Sequence, residues 1–123
     1  AEHETKMFNE YVSTMITDFP EMTSPFWNMS RNEGGGTSKK IDVILGGMET
    51  IGSAERSCDV DMMRDTFHSI TDGAYSKLLY SLFSKERVEA ELEKFLEFDF
   101  FPRVGGGIGM TRMIAALEKH WKD

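Results

Sequence analysis

The chain has 123 residues, of which 40% are hydrophobic and 28% are charged, and its formal net charge at pH 7 is −7. These values are ordinary for one globular domain, and we expect residues 1–123 to form a single domain. Nothing resembles a secretory signal, and no apolar run approaches the roughly 20 residues that a membrane helix needs. The acidic balance makes the chain alone a poor candidate for binding nucleic acid, because it gains no general attraction to a polyanion.

Cysteine and the basic residues add little to this picture. Cys58 is the only cysteine, so the chain has no partner for an internal disulfide or a thiolate metal site. That fits the reducing cytosol, and we expect a cytoplasmic protein. Arg31, Lys39 and Lys40 could form a local basic patch, but the simpler interpretation is that they solvate a loop.

The first half of the chain predicts one short helix and three strands. Apolar residues at helical spacing predict the helix over residues 2–12. The glycine-rich residues 32–38 predict a flexible turn, either a natural loop or an engineered linker. Gly46-Gly47 predicts a two-residue hairpin turn between the last two strands. The predicted strands are residues 14–19, ended by Pro20, residues 41–45 and residues 48–57.

The second half predicts mainly helices. Ser84 is a suitable N-cap for the third of them, in which Val88, Leu92, Phe95 and Leu96 define one buried face. The predicted elements are helices over residues 60–68 and 73–83, the helix after Ser84, a strand over residues 98–103, a glycine turn, and a closing amphipathic helix through Met113, Ile114, Leu117 and Trp121.

The hairpin places two acids on one face of the predicted sheet. If Gly46-Gly47 forms the turn, Asp42 pairs with Ile51 and lies diagonally next to Glu49, roughly 7–8 Å away. Two carboxylates this close repel each other unless a cation lies between them, and Mg²⁺ prefers such oxygen ligands together with phosphate oxygens. The pair therefore indicates a magnesium–nucleotide site. The alternative is that both acids point to solvent from the open face of the sheet.

Arg56 lies on the opposite face if the returning strand is regular. A β-bulge at Gly52-Ser53 would reverse the alternation, because glycine within a strand often marks a bulge. Arg56 would then join Asp42 and Glu49, where its guanidinium suits a planar carboxylate.

The glycine turn is the third feature, with the sequence Gly105-Gly106-Gly107-Ile108-Gly109-Met110-Thr111-Arg112. Consecutive glycines let a backbone approach a flat or charged ligand closely, and the start of the following helix presents N–H groups to an anion. Arg112, one turn into that helix, could reach a phosphate. The segment is neither a dinucleotide-binding fingerprint nor a Walker loop, and a purely structural turn is the alternative.

The order of these pieces resembles the C-terminal half of a class II aminoacyl-tRNA synthetase catalytic domain, over roughly residues 14–119. Asp42 precedes Glu49-x-x-Gly52-Ser53-x-x-Arg56, and a helical insert separates them from the glycine segment that ends at Arg112. The sequence is most similar to the aspartate/asparagine subgroup, including relatives that act as stand-alone asparagine synthetases. The segments Asp18-Phe19-Pro20 and Pro25-Phe26-Trp27 also match that subgroup. The resemblance implies an α+β fold in which an antiparallel β-sheet is flanked by helices.

The resemblance also implies roles for individual residues. Arg112 would bind the γ-phosphate of ATP, and Asp42 and Glu49 would hold Mg²⁺ and the ATP phosphates. Arg56 would bind the side-chain carboxylate or amide of aspartate or asparagine, with Ser53 or its backbone shaping that pocket. The glycines that would line the adenosine pocket are Gly106, Gly107 and Gly109.

The implied reaction is activation of the amino acid as an aminoacyl-adenylate, in which its carboxylate attacks the α-phosphorus of ATP and pyrophosphate leaves. Such a reaction depends on positioning and charge neutralisation and needs no side-chain nucleophile. We therefore assign no catalytic role to His3, His68 or His120.

The match to the family is incomplete. Motif 1, motif 2 with its α-phosphate arginine, and the anticodon-binding barrel have no counterpart, so tRNA would be contacted only through domains absent here. The chain would be a fragment, an engineered minimal chain, one piece of a split enzyme, or a paralogue. Three functions follow as alternatives: a tRNA-ligase half-site, asparagine synthesis in which ammonia captures the aspartyl-adenylate, and a non-catalytic structural or binding module.

Half a sheet would also leave an open edge and an apolar surface. Nine methionines and the Phe- and Trp-rich segments could cover such a surface by self-association. We therefore expect a homo-oligomer, or a partner that supplies the missing N-terminal half.

Overall fold

The secondary structure is known for residues 13–21 and 27–120, which a computed structural model describes. The helix predicted over residues 2–12, the segment Pro25-Phe26 and Trp121 lie outside the described residues. The described elements are β1 (Ser13–Pro20), β2 (Thr37–Leu45), β3 (Met48–Arg56), α1 (Val60–Ser69), a 3₁₀ helix (Ile70–Gly73), α2 (Ala74–Phe83), α3 (Lys85–Leu96), β4 (Arg103–Ile108) and α4 (Met110–His120).

The four strands form one sheet in the order β1-β2-β3-β4, and every neighbouring pair is antiparallel. This confirms the predicted α+β fold with an antiparallel sheet flanked by helices. The hairpin turn is also as predicted, because Leu45 pairs with Met48 and only Gly46 and Gly47 lie between them. Both glycines have positive φ, 61° and 81°, which is the backbone that a two-residue hairpin turn requires.

A bulge interrupts the pairing of β2 with β3 one step beyond the turn. Ile44 pairs with Glu49 but Val43 pairs with Ile51, so Thr50 is the extra residue on β3. The bulge was predicted at Gly52-Ser53, and this position is wrong. Its cause is tertiary: the backbone oxygen of Thr50 accepts a hydrogen bond at 2.8 Å from the backbone nitrogen of Gly109.

The bulge changes which residues share a face of the sheet. Asp42 pairs with Gly52, not with Ile51 as predicted. Because partners share a face and alternate residues return to it, Asp42, Glu49, Gly52 and Arg56 all lie on the same face. The predicted reversal at Arg56 therefore occurs, although the extra residue lies earlier in the strand. We call this side of the sheet the acid face.

The glycine segment differs most from its prediction. No strand forms over residues 98–102, and β4 begins at Arg103 and runs through Gly105, Gly106 and Gly107 to Ile108. These glycines are strand residues paired with β3, not a turn, and none of them has positive φ. Only Gly109 separates the strand from α4.

The helices between β3 and β4 form their own packed region. Ser84 caps α3 as predicted, since its hydroxyl accepts a hydrogen bond from the Arg87 backbone nitrogen at 3.5 Å. Trp27 packs edge-on against two rings of this region. Its ring centre lies 5.3 Å from that of Phe67 and 5.5 Å from that of Phe95. The buried cluster is formed by Met63, Phe67, Val88, Leu92 and Leu96. Among the described residues, no helix combines the length and apolar character needed to cross a membrane.

Candidate functional site

Two carboxylates converge above Gly52 on the acid face. A Cβ atom added to Gly52 would lie 2.9 Å from Oε1 of Glu49 and 3.4 Å from Oδ1 of Asp42. The missing side chain therefore leaves room for both acids to turn toward each other. Asp42 is only 3% exposed, so the alternative in which it simply points to solvent is wrong. Glu49 is half-buried beside it.

Lys40 is the residue that the sequence interpretation missed. Its ammonium pairs with Oδ2 of Asp42, and the two side chains are 11% and 4% exposed. Lys40 therefore does not solvate a loop, whereas Lys39 is exposed and pairs with Glu55 at 3.1 Å. The signal was present in the sequence: Lys40 and Asp42 are two residues apart on one strand, so their side chains share a face.

The other oxygen of Asp42 has a different environment. Oδ1 is buried and has no hydrogen-bond partner among the described residues. An unpartnered buried carboxylate oxygen is costly and favours a cation or a donor at that position. Oδ1 of Asp42 and Oε1 of Glu49 are the hard oxygen ligands that Mg²⁺ takes, usually with water and phosphate oxygens completing its shell. The described residues contain no cluster of three or more His, Cys, Asp or Glu suited to a metal.

Arg56 has only neutral hydrogen-bond partners among the described residues. Nη1 donates to Oδ1 of Asn28 at 3.4 Å, and Nη2 donates to the backbone oxygen of Gly105 at 3.3 Å. Burial, and second the nearby charge of Arg103, lower the pKa of Arg56 below its usual value. Both effects reflect a positive charge without a compensating anion. A guanidinium in this state is suited to a carboxylate ligand, which it can bind through two parallel hydrogen bonds.

Ser53 does not contribute its side chain to the acid face. It follows Gly52 in β3 and therefore points to the other side of the sheet. Its hydroxyl donates to the backbone oxygen of Ile41 at 3.4 Å. Ser53 is nevertheless among the residues that line the cleft, and a role of its backbone in an amino-acid pocket stays a prediction.

Arg112 lies close to Glu49 because it stands in the first turn of α4. Its Nη1 donates to the backbone oxygen of Glu49 at 2.8 Å. The helix packs on the hairpin turn, where a Cβ on Gly46 would lie 3.5 Å from Ala116. Arg112 is exposed, so the rest of its guanidinium remains accessible beside the acid pair.

The glycines of β4 serve two different purposes. A Cβ on Gly106 would lie 2.8 Å from the backbone oxygen of Gly52, so Gly106 allows β4 to approach β3. Gly107 pairs with Gly52 across the strands, yet nothing lies within 4 Å of a Cβ added to it. Gly107 and Gly52 thus form a bare stretch of backbone on the acid face.

Part of this face is an open cleft of about 270 Å³. It is lined by Met29, Lys40, Glu49, Gly52, Ser53, Arg56, Gly106 and Gly107, whereas Asp42 and Arg112 are not among its lining residues. A larger cavity of about 340 Å³ lies in the helical region, but it is lined mostly by apolar side chains and contains none of the predicted site residues. The cleft on the acid face is the better candidate, because it is lined by five of the predicted site residues: Glu49, Ser53, Arg56, Gly106 and Gly107.

The sheet, the helical insert and the strand–helix unit that carries Arg112 define a partial class II synthetase catalytic fold. The family model described as "tRNA synthetases class II (D, K and N)" matches residues 3–121. The chain therefore belongs to this family, and the resemblance drawn from its motifs is confirmed. A comparison with curated protein sequences finds no match.

Solved synthetases share the fold at low sequence identity. Asparaginyl-tRNA synthetase from Pyrococcus horikoshii has 18% identity and a TM-score of 0.69, over 97% of this chain and 26% of that one. The Entamoeba histolytica asparaginyl-tRNA synthetase, solved with asparaginyl-adenylate, has 17% identity and a TM-score of 0.69, over 97% and 25%. A putative aspartyl-tRNA synthetase from Leishmania major Friedlin has 17% identity and a TM-score of 0.63, over 91% and 20%. The chain thus spans about a quarter or less of the length of these synthetases.

Proposed function

We propose that this chain forms one half of a site that activates aspartate or asparagine with ATP, giving the aminoacyl-adenylate. The observation that carries the proposal is the convergence of Asp42, Glu49 and Arg56 on one face, with Arg112 bonded to the Glu49 backbone. Family membership supports the reaction class, because class II synthetases use ATP and an amino acid. The arrangement places a cation site and an anion site on one face of the sheet.

Arg112 and the β4 glycines would bind ATP. Arg112 has one nitrogen fixed on Glu49, which orients the guanidinium and leaves its other N–H groups for the γ-phosphate. Gly107 offers open backbone against which a flat adenosine group can lie, while Gly106 and Gly109 hold β4 and α4 in place around it.

Asp42 and Glu49 would hold Mg²⁺ through the oxygens that face each other above Gly52. Bound there, Mg²⁺ supplies neutralisation of the phosphate charge and makes pyrophosphate a better leaving group. Arg56 would bind the side-chain carboxylate of aspartate, or the amide oxygen of asparagine. Its partial burial strengthens that interaction relative to one in bulk water.

The chemistry requires positioning more than proton transfer. The α-carboxylate of the amino acid forms a bond to the α-phosphorus of ATP, and the bond from that phosphorus to the pyrophosphate oxygen breaks. Arg56 fixes the amino acid, and Arg112 fixes the far end of the nucleotide. Holding both ends preorganises the positive charge around the transferring group, which is the main source of rate enhancement in such sites.

The direct test is amino-acid-dependent exchange of labelled pyrophosphate into ATP. Once the site is completed by its partner or remaining domains, we expect exchange with aspartate or asparagine. We expect loss of that exchange in Arg56→Met, which removes the guanidinium but keeps much of the side chain's apolar length. If ammonia with aspartate yields asparagine, the asparagine-synthetase alternative is correct. A non-catalytic module would show Mg-ATP binding at most and no exchange.

A partner or further domain would complete the site. The sheet face opposite the acid face exposes Met15 by 70%, Val104 by 74% and Ile108 by 54%. An exposed apolar surface of this kind supports association, either with a second copy or with the remaining part of a longer protein. We expect sedimentation to show an oligomer, and a clean monomer would count against self-association. Contact with tRNA would depend on other domains, and a cytoplasmic location remains part of the proposal.

A further inference from the structure

Lys40 places a largely buried positive charge beside the candidate cation site. Its ammonium lies 3.9 Å from the centre of the Phe19 ring on one side and pairs with Oδ2 of Asp42 on the other. Taking an ammonium out of water is costly unless a partner compensates it, and here the partner is a proposed metal ligand. Lys40 therefore competes for the carboxylate that the cation would use.

The competition affects only one of the two carboxylate oxygens of Asp42. Oδ2 is occupied by Lys40, whereas Oδ1 has no partner among the described residues and faces Oε1 of Glu49 across the space above Gly52. Neither nearby arginine binds the carboxylate of Asp42. Arg112 donates to the backbone oxygen of Glu49, and Arg56 donates to Asn28 and Gly105. Two carboxylates and one ammonium leave a single negative charge for a cation to neutralise.

We propose that Lys40 is a positioning residue that fixes Oδ2 of Asp42, restricts the divalent cation to Oδ1 and Glu49, and weakens cation binding before nucleotide arrives. The fixed ammonium repels a divalent ion, so the cation binds strongly only when phosphate oxygens add their charge. The metal thus enters with ATP and not ahead of it. The inference rests on the proposed function in one respect, since both place a cation between Asp42 and Glu49.

The test measures Mn²⁺ binding to the whole chain without nucleotide, by paramagnetic relaxation of water protons. Lys40→Met removes the charge and keeps the side-chain length, and we expect it to tighten Mn²⁺ binding by at least about tenfold, given the size of charge repulsion at a partly buried site. Lys40→Arg keeps the charge and should bind Mn²⁺ as weakly as the wild type. Lys40→Met/Asp42→Asn should lose the gain, which shows that the added affinity acts through Asp42.

Unchanged or weaker Mn²⁺ binding in a folded Lys40→Met would overturn the inference, because a purely structural lysine would not oppose the metal. If Lys40→Met folds poorly, Lys40→Gln offers a polar replacement with the same expected gain. Thermal unfolding adds a second measurement: Mn²⁺ should raise Tm more in the uncharged variant than in the wild type. Failure of Mg-ATP binding alongside the Mn²⁺ gain would reject the proposed function and leave the role of Lys40 intact.

Discussion

Arg112 donates a hydrogen bond at 2.8 Å to the backbone oxygen of Glu49, although 63 positions separate the two residues in the chain. The next residue, Thr50, accepts a backbone hydrogen bond from Gly109 at 2.8 Å. These two bonds attach the start of α4 to the bulge in β3. The proposed γ-phosphate ligand and a proposed metal ligand are thus held by one local unit, and the bulge that aligns Arg56 is part of it.

Gly52 and Gly107 give a matched pair of substitutions for the cation site. They pair across the strands, but a Cβ on Gly52 would lie 2.9 Å from Oε1 of Glu49, whereas one on Gly107 would meet nothing within 4 Å. Gly52→Ala should displace Glu49 and weaken Mn²⁺ binding by roughly tenfold, or about 1.4 kcal/mol. Gly107→Ala should leave Mn²⁺ binding unchanged and weaken only ATP binding. Equal effects of the two on Mn²⁺ would show that the acids do not meet above Gly52.

Gly106 tests the close approach of β4 to β3. Its added Cβ would lie 2.8 Å from the backbone oxygen of Gly52 and 2.8 Å from Cβ of Ser53, so the strands would have to separate. Gly106→Ala should lower the free energy of unfolding by about 1–3 kcal/mol, as overpacking typically does. Gly107→Ala, the control on the same strand, should stay within about 0.5 kcal/mol. Urea denaturation of both variants decides this, and similar stabilities would contradict the close packing at Gly106.

Arg56 tests the amino-acid site independently of ATP. Arg56→Lys keeps the positive charge but loses the planar pair of donors that matches a carboxylate. We expect aspartate affinity, measured by calorimetry, to fall by roughly tenfold or more, since bidentate charge-assisted bonds are the strong ones. Arg87→Lys is the control, because Arg87 is exposed on α3 and pairs with Glu91 at 2.9 Å. Unaltered aspartate binding in Arg56→Lys would mean that Arg56 has a structural role and does not bind the amino acid.

Glu89 accepts hydrogen bonds in the helical region from two side chains on other helices. Nε2 of His68 lies 2.8 Å from Oε1 of Glu89, and the hydroxyl of Tyr80 donates to the same oxygen. Burial opposes the charged form of His68, but the bonds to Glu89 and to the backbone of Arg64 outweigh it and raise the pKa of His68. Burial likewise opposes ionised Glu89, but the bonds from Tyr80 and His68 outweigh it and lower the pKa of Glu89.

These shifts predict a pH dependence of stability. The contribution of His68 is complete below its usual pKa of 6.5 and is lost as pH rises through its higher folded value. The contribution of Glu89 is present above its usual pKa of 4.5 and is lost as pH falls through its lower folded value. Tm should therefore fall as pH rises above 6.5, the usual pKa of histidine, and His68→Gln should flatten that fall. If Tm falls with pH equally steeply in His68→Gln, a group other than His68 causes the pH dependence.

Much of the site could be predicted because it depends on local pattern. Gly46-Gly47 sets the hairpin register, and alternation along a strand then relates Asp42 to Glu49. The need for a bulge before Arg56 followed from the same alternation. The same rule relates Lys40 to Asp42, since Lys40 stands two residues before it, but proximity to Arg31 and Lys39 in the sequence favours the simpler prediction of a solvated loop.

The remainder depends on contacts between distant segments. The bulge forms at Thr50 because Gly109 donates to it, and no pattern within β3 specifies that bond. Gly105, Gly106 and Gly107 have low intrinsic preference for strands, yet all three pair with β3. A Cβ at Gly106 would meet the backbone of β3, and one at Gly105 would meet the guanidinium of Arg56, so glycine is what allows this close pairing. Local preference therefore predicted a turn, and packing against β3 determined a strand.

The central claim is that Arg112 and the acid face bind Mg-ATP, and calorimetry on the whole chain tests it most directly. Arg112 is exposed, so Arg112→Ala should keep the fold, and Arg87→Ala provides a matched surface control. We predict that the wild type and Arg87→Ala bind Mg-ATP, and that Arg112→Ala binds it at least about tenfold more weakly, a loss of about 1.4 kcal/mol. No binding by the wild type, or equal binding by Arg112→Ala, would contradict the claim.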